Sequence, residues 1–276
     1  MRLTIILSIF LLGLPLSVSA QNSGLTRLTD RDDLFGWEAV GRLELAGRGT
    51  CSGVLIAPNL VLTAAHCVFG RDGQPLAANA LTFRSGLRDG VAIAQRRGQR
   101  IAAHPDYQPR SGVSVENVRA DVALIELDQA IPSAVAAPFL VHQRARKGAT
   151  VSVVSYGQGR NEALSWQRAC QVTGNGQDIY AFDCDVTFGS SGAPIFVKEG
   201  SRARILSLVS AGARHDGKTV SYGTELPARI AEVKRVLRAL PIVRSSAKVP
   251  PKVNRIRVGS GQGGAAGAAK FVRVGD

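Results

Sequence analysis

Leu60-Val61-Leu62-Thr63-Ala64-Ala65-His66-Cys67 is a short β-type run that ends in a histidine beside a cysteine. Two later stretches complete a pattern with it. Ala120-Asp121-Val122-Ala123-Leu124-Ile125 sets an aspartate ahead of an apolar run, and Phe188-Gly189-Ser190-Ser191-Gly192-Ala193-Pro194 sets two serines between glycines. Alone, each is commonplace: lone histidines and aspartates are usually structural, and a Gly-Ser-Ser-Gly run is usually a loop. Together, in the order His, Asp, Ser, they are the groups that nucleophilic acyl transfer needs. A serine hydroxyl is a poor nucleophile near neutral pH, so a base must take its proton and return it to the leaving group. A carboxylate holds that base in the right tautomer.

Outward from these stretches, short β-type runs are split by Gly, Pro, Asn and Asp. Examples are Val54 to Ile56, Leu60 to Thr63, Val91 to Ile93, Val122 to Leu127, Val151 to Ser155, Ile195 to Val197 and Ile205 to Val209. Many short strands with turn signals between them predict an all-β barrel or sandwich. Helical spacing appears once, at Ile230, Val233, Leu237 and Leu240 between Pro227 and Pro241, which predicts one amphipathic helix on a β body. Residues 21–36 are polar and charged and read as irregular. The chain has 276 residues, 45% of them apolar and 20% charged. That supplies enough apolar surface for a core and excludes disorder throughout.

The three stretches resemble those of the chymotrypsin-like (trypsin-like) serine endopeptidases, in the bacterial exported branch that includes glutamyl endopeptidases. The resemblance covers about Trp37 to Pro241. It implies two six-stranded antiparallel β-barrels with a C-terminal α-helix, and an active site in the cleft between them. Position by position, it makes His66, Asp121 and Ser191 the catalytic residues, with Ser191 rather than Ser190 as nucleophile. Asp106 and Asp128 are alternatives to Asp121, but neither precedes a buried-looking strand in the family's pattern. The backbone N–H groups of Gly189 and Ser191 fall at the oxyanion-hole positions, where one donor is typically worth about 2.7–4 kcal/mol. Cys51 and Cys67 match the disulfide that brackets the catalytic histidine. Cys170–Cys184 is then the simplest remaining pair, although Cys184 is out of register with the usual cysteines of the second barrel.

The sequence departs from the family's digestive members in its activation switch. There, an aspartate just before the nucleophile pairs with a newly cut N-terminal ammonium; here that position is Ser190. Asp185, six residues before Ser191, stands at the offset of the trypsin-type pocket carboxylate and predicts cleavage after Arg or Lys, with Asp183 a second candidate by proximity. Ser210, Ala211 and Gly212 match the strand that pairs with substrate backbone. Thr187 could help a glutamyl pocket. His104, before Pro105, reads as a surface or turn residue, and His142 and His215 as solvated.

Processing and partners follow from composition. Arg2, the apolar run Leu3 to Leu16 and Val18-Ser19-Ala20 read as a secretory signal cleaved after Ala20. The domain reading is therefore 1–20 signal peptide, 21–36 N-terminal extension or short propeptide, 37–241 protease domain and 242–276 flexible tail. Four cysteines in an exported chain suggest two disulfides, each closing a loop of about 15 residues worth about 3 kcal/mol in the chain-entropy model. A zinc alternative lacks any C-x-x-C or paired histidine spacing, so no metal and no cofactor is expected. Seven basic residues against one acid in 242–276 carry about half of the formal +13. They read either as a solvated tail or as a tether to anionic surfaces or polymers. Expected partners are polypeptide substrates, with no specific nucleic acid, because aromatics are only 5% and no recognition motif is present; the expected state is a monomer. The alternative from another class is a catalytically silent protease homologue acting as a binding module. An esterase elbow would place Asp and His after the serine, whereas here the serine comes last.

Overall fold

A computed structural model describes residues 24–200, 202–215 and 218–241. The signal reading at 1–20 and the basic tail at 242–276 lie outside the described residues. In chain order the elements are β1 (Leu25–Arg27), β2 (Val40–Leu45), β3 (Thr50–Ala57), β4 (Leu60–Thr63), β5 (Leu81–Ser85), β6 (Ala94–Ala103), α1 (Val115–Ala120), β7 (Ala123–Leu127), β8 (Thr150–Ser155), β9 (Ser165–Gly176), β10 (Ile179–Phe182), β11 (Pro194–Glu199), β12 (Arg202–Leu208), β13 (Ala211–His215), β14 (Lys218–Thr224) and α2 (Leu226–Ala239). Among the described residues no helix is long and apolar enough to cross a membrane.

Strands β2-β3-β4-β7-β6-β5 close into a barrel. Its interior is narrow, and one aromatic ring fills much of it. Gly41 and Gly53 face each other across β2 and β3. The Phe83 ring takes the space their side chains would need: a Cβ at Gly41 would fall 2.4 Å from Phe83 Cε2. Leu43, Val61, Leu81 and Ile125 complete this core, all fully buried.

The other strands form one eight-stranded antiparallel sheet in the order β12-β11-β8-β9-β10-β14-β13, with β1 added to β9. Of the two closed barrels expected, the first is present, while the second is an open half-barrel sheet. The reason lies at Val209-Ser210, between its two end strands. Val209 N–H donates to Ala193 O, on the β11 side, and the next residue, Ser210, donates its N–H to Tyr222 O on β14, each at 2.9 Å. The chain itself crosses from one edge to the other, so covalent continuity spans the gap that a ladder would otherwise close. β14 passes so close to β12 that a Cβ on Gly223 would lie 2.0 Å from Leu208 O.

A third core joins the two halves. Trp37 packs on Trp166 at 5.2 Å and Phe196 at 5.1 Å, and Phe139 packs on Phe196 at 4.7 Å, centroid to centroid. Leu28 and Leu34 are buried in the same core. This corrects the reading of 21–36 as irregular: two leucines in a polar segment suffice to dock Leu25–Arg27 as a strand. Val91 to Ile93 is also not a strand; Val91 makes a single bridge to Arg88 and β6 begins at Ala94.

Helix α2 forms where the spacing placed it. Leu226, Ile230, Val233 and Leu237 are its buried face, with a proline in the first turn, where a missing N–H costs nothing. Each such side chain contributes about 1.5–3 kcal/mol on burial. The helix follows β14 in sequence yet is fastened to β6 of the barrel. Arg100 Nη1 donates to Leu237 O at 3.2 Å and Leu240 O at 3.0 Å, capping its C-terminus. His104 Nε2 pairs with Glu232. That pairing overturns the surface reading of His104, which is only 4% exposed because α2 covers it.

Gly41→Val is expected to overpack the Phe83 site and cost about 1–3 kcal/mol or more. Thermal unfolding of the variant measures it, and an unchanged midpoint would refute this packing account.

Candidate active site

The site is assembled from both halves of the fold. β4 ends at Thr63 and leads into a single 3-10 turn, Ala65–Val68, that carries His66. Helix α1 is capped at its N-terminus by Ser114, whose side chain accepts from Asn117 N–H at 3.1 Å. Asp121 is its C-terminal cap, and the next strand carries the chain away into the barrel. Asn117 ties the neighbouring loop by donating to Gln108 O at 3.1 Å and Gly112 O at 2.7 Å.

Asp121 is buried and receives three hydrogen bonds. Its Oδ1 accepts the His66 backbone N–H at 2.9 Å. Its Oδ2 lies 2.8 Å from His66 Nδ1 and also accepts Ser210 Oγ–H at 2.5 Å. A carboxylate only accepts, so Nδ1 carries the proton and Nε2 is left with its lone pair free. Burial works against the imidazolium, but the charge and hydrogen bond of Asp121 outweigh it and hold the His66 pKa above its ordinary value. The imidazole is 32% exposed, so its outer edge meets solvent. Asp106 and Asp128, the alternatives, are both exposed.

Ser191 sits on the loop between β10 and β11, which docks on the barrel through one residue. Ser52 N–H donates to Ser191 O at 2.8 Å, and Ser52 Oγ donates to Gly189 O at 3.0 Å while accepting Tyr156 N–H at 3.0 Å. Gly192 makes that approach feasible: its φ is +74°, and a Cβ there would fall 2.2 Å from Thr63 Oγ1. Gly189 is also left-handed, at φ +91°. Phe188 O accepts Gln158 N–H at 2.6 Å. In a trans peptide the C=O and N–H point opposite ways, so the Gly189 N–H is directed away from Gln158.

Beneath the loop lies a group that motif reading missed. Arg160 Nη1 donates to Ser155 O at 2.8 Å, and Nη2 donates to Ser155 Oγ and to Ser190 Oγ, each at 3.0 Å. Burial lowers its pKa from the ordinary arginine value, against an opposing pull from Asp185. At Ser190, where digestive members have a carboxylate for an incoming ammonium, this chain brings up a guanidinium of its own. No local signal marked Arg160, which lies in a Gly-rich turn, Gly157-Gln158-Gly159-Arg160.

His66, Asp121 and Ser191 line one cavity of about 410 Å³. Val186, Thr187, Phe188, Ser210, Ala211 and Gly212 line it too. Asp185 and Asp183 are not among the lining residues. Cys184 is bonded to Cys170 on β9, and the Asp185 N–H donates to Gln167 Oε1 at 2.7 Å, also on β9. This stretch is thereby held to the sheet. Asp183 is exposed and accepts the Gln171 N–H at 2.5 Å, opening on a different depression. Both disulfides, Cys51–Cys67 and Cys170–Cys184, are formed. The Cys51 and Cys67 sulfurs lie near His66 but offer no thiolate to a metal.

Residues 51–202 match the family described as trypsin-like peptidase domain, more than half of the chain. The chain belongs to that family. Among curated proteins it is 36% identical to human serine protease 56 over 91 residues, 33% of this chain and 14% of that protein. It is 26% identical to the glutamyl endopeptidase of Bacillus licheniformis over 155 residues, 56% of this chain and 47% of that protein. The matched stretches thus span less than half of these relatives' length. Among solved structures, a Glu endopeptidase in complex with MPD superposes with a TM-score of 0.65 at 19% identity, covering 78% of this chain and 97% of the other. That likeness concerns the fold.

Two variants probe the loop's support. Ser52→Ala leaves a buried carbonyl and N–H without partners, and is expected to cost about 1–3 kcal/mol per group and to lower turnover. Arg160→Met is expected to destabilise by a similar amount, read from urea unfolding; full stability and turnover would show that Arg160 is incidental.

Proposed function

We propose that this chain is an exported serine endopeptidase that hydrolyses peptide bonds through an acyl-enzyme, with Ser191 as nucleophile, His66 as general base and acid, and Asp121 as its orienting carboxylate. The observation that carries the reading is the 2.8 Å Asp121–His66 pair opening on the same cavity as Ser191. His66 Nε2 takes the Ser191 proton as Oγ attacks the carbonyl carbon. The tetrahedral oxyanion is held by the N–H groups of Gly189 and Ser191. His66 then returns the proton to the leaving amine, and a water activated by the same nitrogen releases the acyl group.

Binding of an extended peptide fits the outer edge of β13. That strand is at the end of the sheet order, paired on one side with β14, and its Ala211 and Gly212 line the cleft. A substrate added there would gain main-chain hydrogen bonds. Polypeptides are therefore the proposed substrates. Export is supported by the two disulfides, which persist in oxidising compartments.

The test is amide hydrolysis by the wild type beside Ser191→Ala and Asp121→Asn. Ser191→Ala is expected to abolish turnover, and Asp121→Asn to lower it about 10⁴-fold. The pH dependence has a definite sign. Only neutral His66 accepts a proton, so activity falls as the pH drops through its raised pKa, and the acid limb is shifted upward from the ordinary histidine value. Its ion pair with Asp121 stabilises the fold fully below the unfolded histidine pKa, and that contribution fades as the pH rises through the folded one. Turnover that survives Ser191→Ala would sink the assignment; a wild type inert on every peptide would leave the silent homologue standing.

A further inference from the structure

The residue before the scissile bond has its side chain beside Ser191. There the cavity is bounded by Val186, Thr187 and Phe188 on one wall and by Ser210, Ala211 and Gly212 on the other. These two walls nearly touch at one level. A Cβ built on Gly212 would fall 3.1 Å from Val186 Cγ2. One bond length further back, the Gly212 Cα is within about 5 Å of that methyl. A side chain passing between the walls needs a carbon–carbon contact on each side, about 7–8 Å in all. The slot is therefore closed to anything that must reach past Val186, and room remains only on the near side of it.

Charge points the same way. Among the described residues that line it, none but His66 and Asp121 is a histidine, acid, lysine or arginine. Asp185 lies outside the lining, and its field acts on Arg160. Arg160 in turn is behind Ser190 with its terminal nitrogens engaged. Among the described lining residues, a lysine or arginine side chain finds no carboxylate besides Asp121, which His66 and Ser210 already engage, and a glutamate finds no lysine or arginine. Burying either without a partner is costly. What the slot offers is the methyl surface of Val186, Val209 and Ala211.

Resting on the reading of Ser191 as nucleophile, we propose that this protease cleaves after small uncharged residues, alanine first and glycine, serine and valine beside it. Val186 is the side chain that sets the size limit. This replaces the Arg or Lys preference inferred from the offset of Asp185, and it is distinct from the glutamate preference in the names of its relatives.

The experiment compares kcat/KM on peptide amides with Ala, Val, Phe, Lys, Arg or Glu before the scissile bond, for the wild type and for Val186→Gly and Val186→Phe. Labelling of Ser191 by diisopropyl fluorophosphate is followed in parallel. The wild type should favour Ala over Phe, Lys, Arg and Glu by about tenfold or more. Val186→Gly should raise Phe relative to Ala by at least about tenfold, and Val186→Phe should suppress Ala cleavage while the serine still labels. A labelled wild type that prefers Arg, Lys, Glu or Phe overturns the specificity and leaves the nucleophile intact. So does a Val186→Gly variant that labels with its ranking unchanged. A wild type that neither labels nor cleaves overturns both readings.

Discussion

The site depends on the two-residue segment Cys51-Ser52. Cys51 is bonded to Cys67, the neighbour of His66. Ser52 is bonded through its N–H and hydroxyl to Ser191 and Gly189, residues of the other half of the fold. One side of the segment thus holds the turn that carries His66 and the other holds the loop that carries Ser191. The barrel interior constrains it further, because Thr63 Oγ1 donates to Ser52 O at 2.9 Å. Every polar group of Ser52 is committed, and the residue is wholly buried. Two distinct cores can hold His66 and Ser191 in register only if something rigid bridges them, and a fully satisfied buried serine between a disulfide and a loop is such a bridge.

A second constraint acts from below the loop. Ser190 is fully buried, and its hydroxyl lies among Arg160, Ser155, Tyr156 and the Thr187 N–H. A half-buried guanidinium is tolerated best when its donors are used, and here the two terminal nitrogens satisfy a carbonyl and two hydroxyls. The orientation of the Gly189 amide follows from the same region, since Gln158 N–H, two residues before Arg160, holds Phe188 O. Support for the Ser191 loop and the direction of the Gly189 N–H are thus set by one turn. The cation that reaches Ser190 thus belongs to the chain's own turn.

That His66, Asp121 and Ser191, the proposed triad, meet at one cavity was legible because each sits in a short string whose local chemistry is demanding: a strand end, an aspartate ahead of an apolar run, and glycines at left-handed φ. Helix α2 was legible because its apolar residues recur at helical spacing. Ser52, Arg160 and Val186 were not, since each works through partners distant in sequence; Ser52 and Gly189 are 137 positions apart. His104 was misread because the element that buries it, α2, comes 122 residues later. The first barrel closes by ladders that strand patterns can suggest. The second sheet hands over between partners at Val209-Ser210, and nothing in the local composition distinguishes that bend from an ordinary strand.

Asp185 does not line the cavity, and the path of the backbone around it gives the reason. An offset carries a role only if the intervening backbone takes the same path. Here Cys184 and Asp185 are both anchored to β9, one by a disulfide and one by a hydrogen bond to Gln167. Residues from Val186 onward are then what remain to form the wall. On the proposed specificity, a wall built from Val186 facing a glycine would discriminate by volume, whereas a carboxylate at its base would discriminate by charge. The shifted cysteine and the displaced aspartate are therefore one change, and its consequence is felt at the side chain that lies across from Gly212.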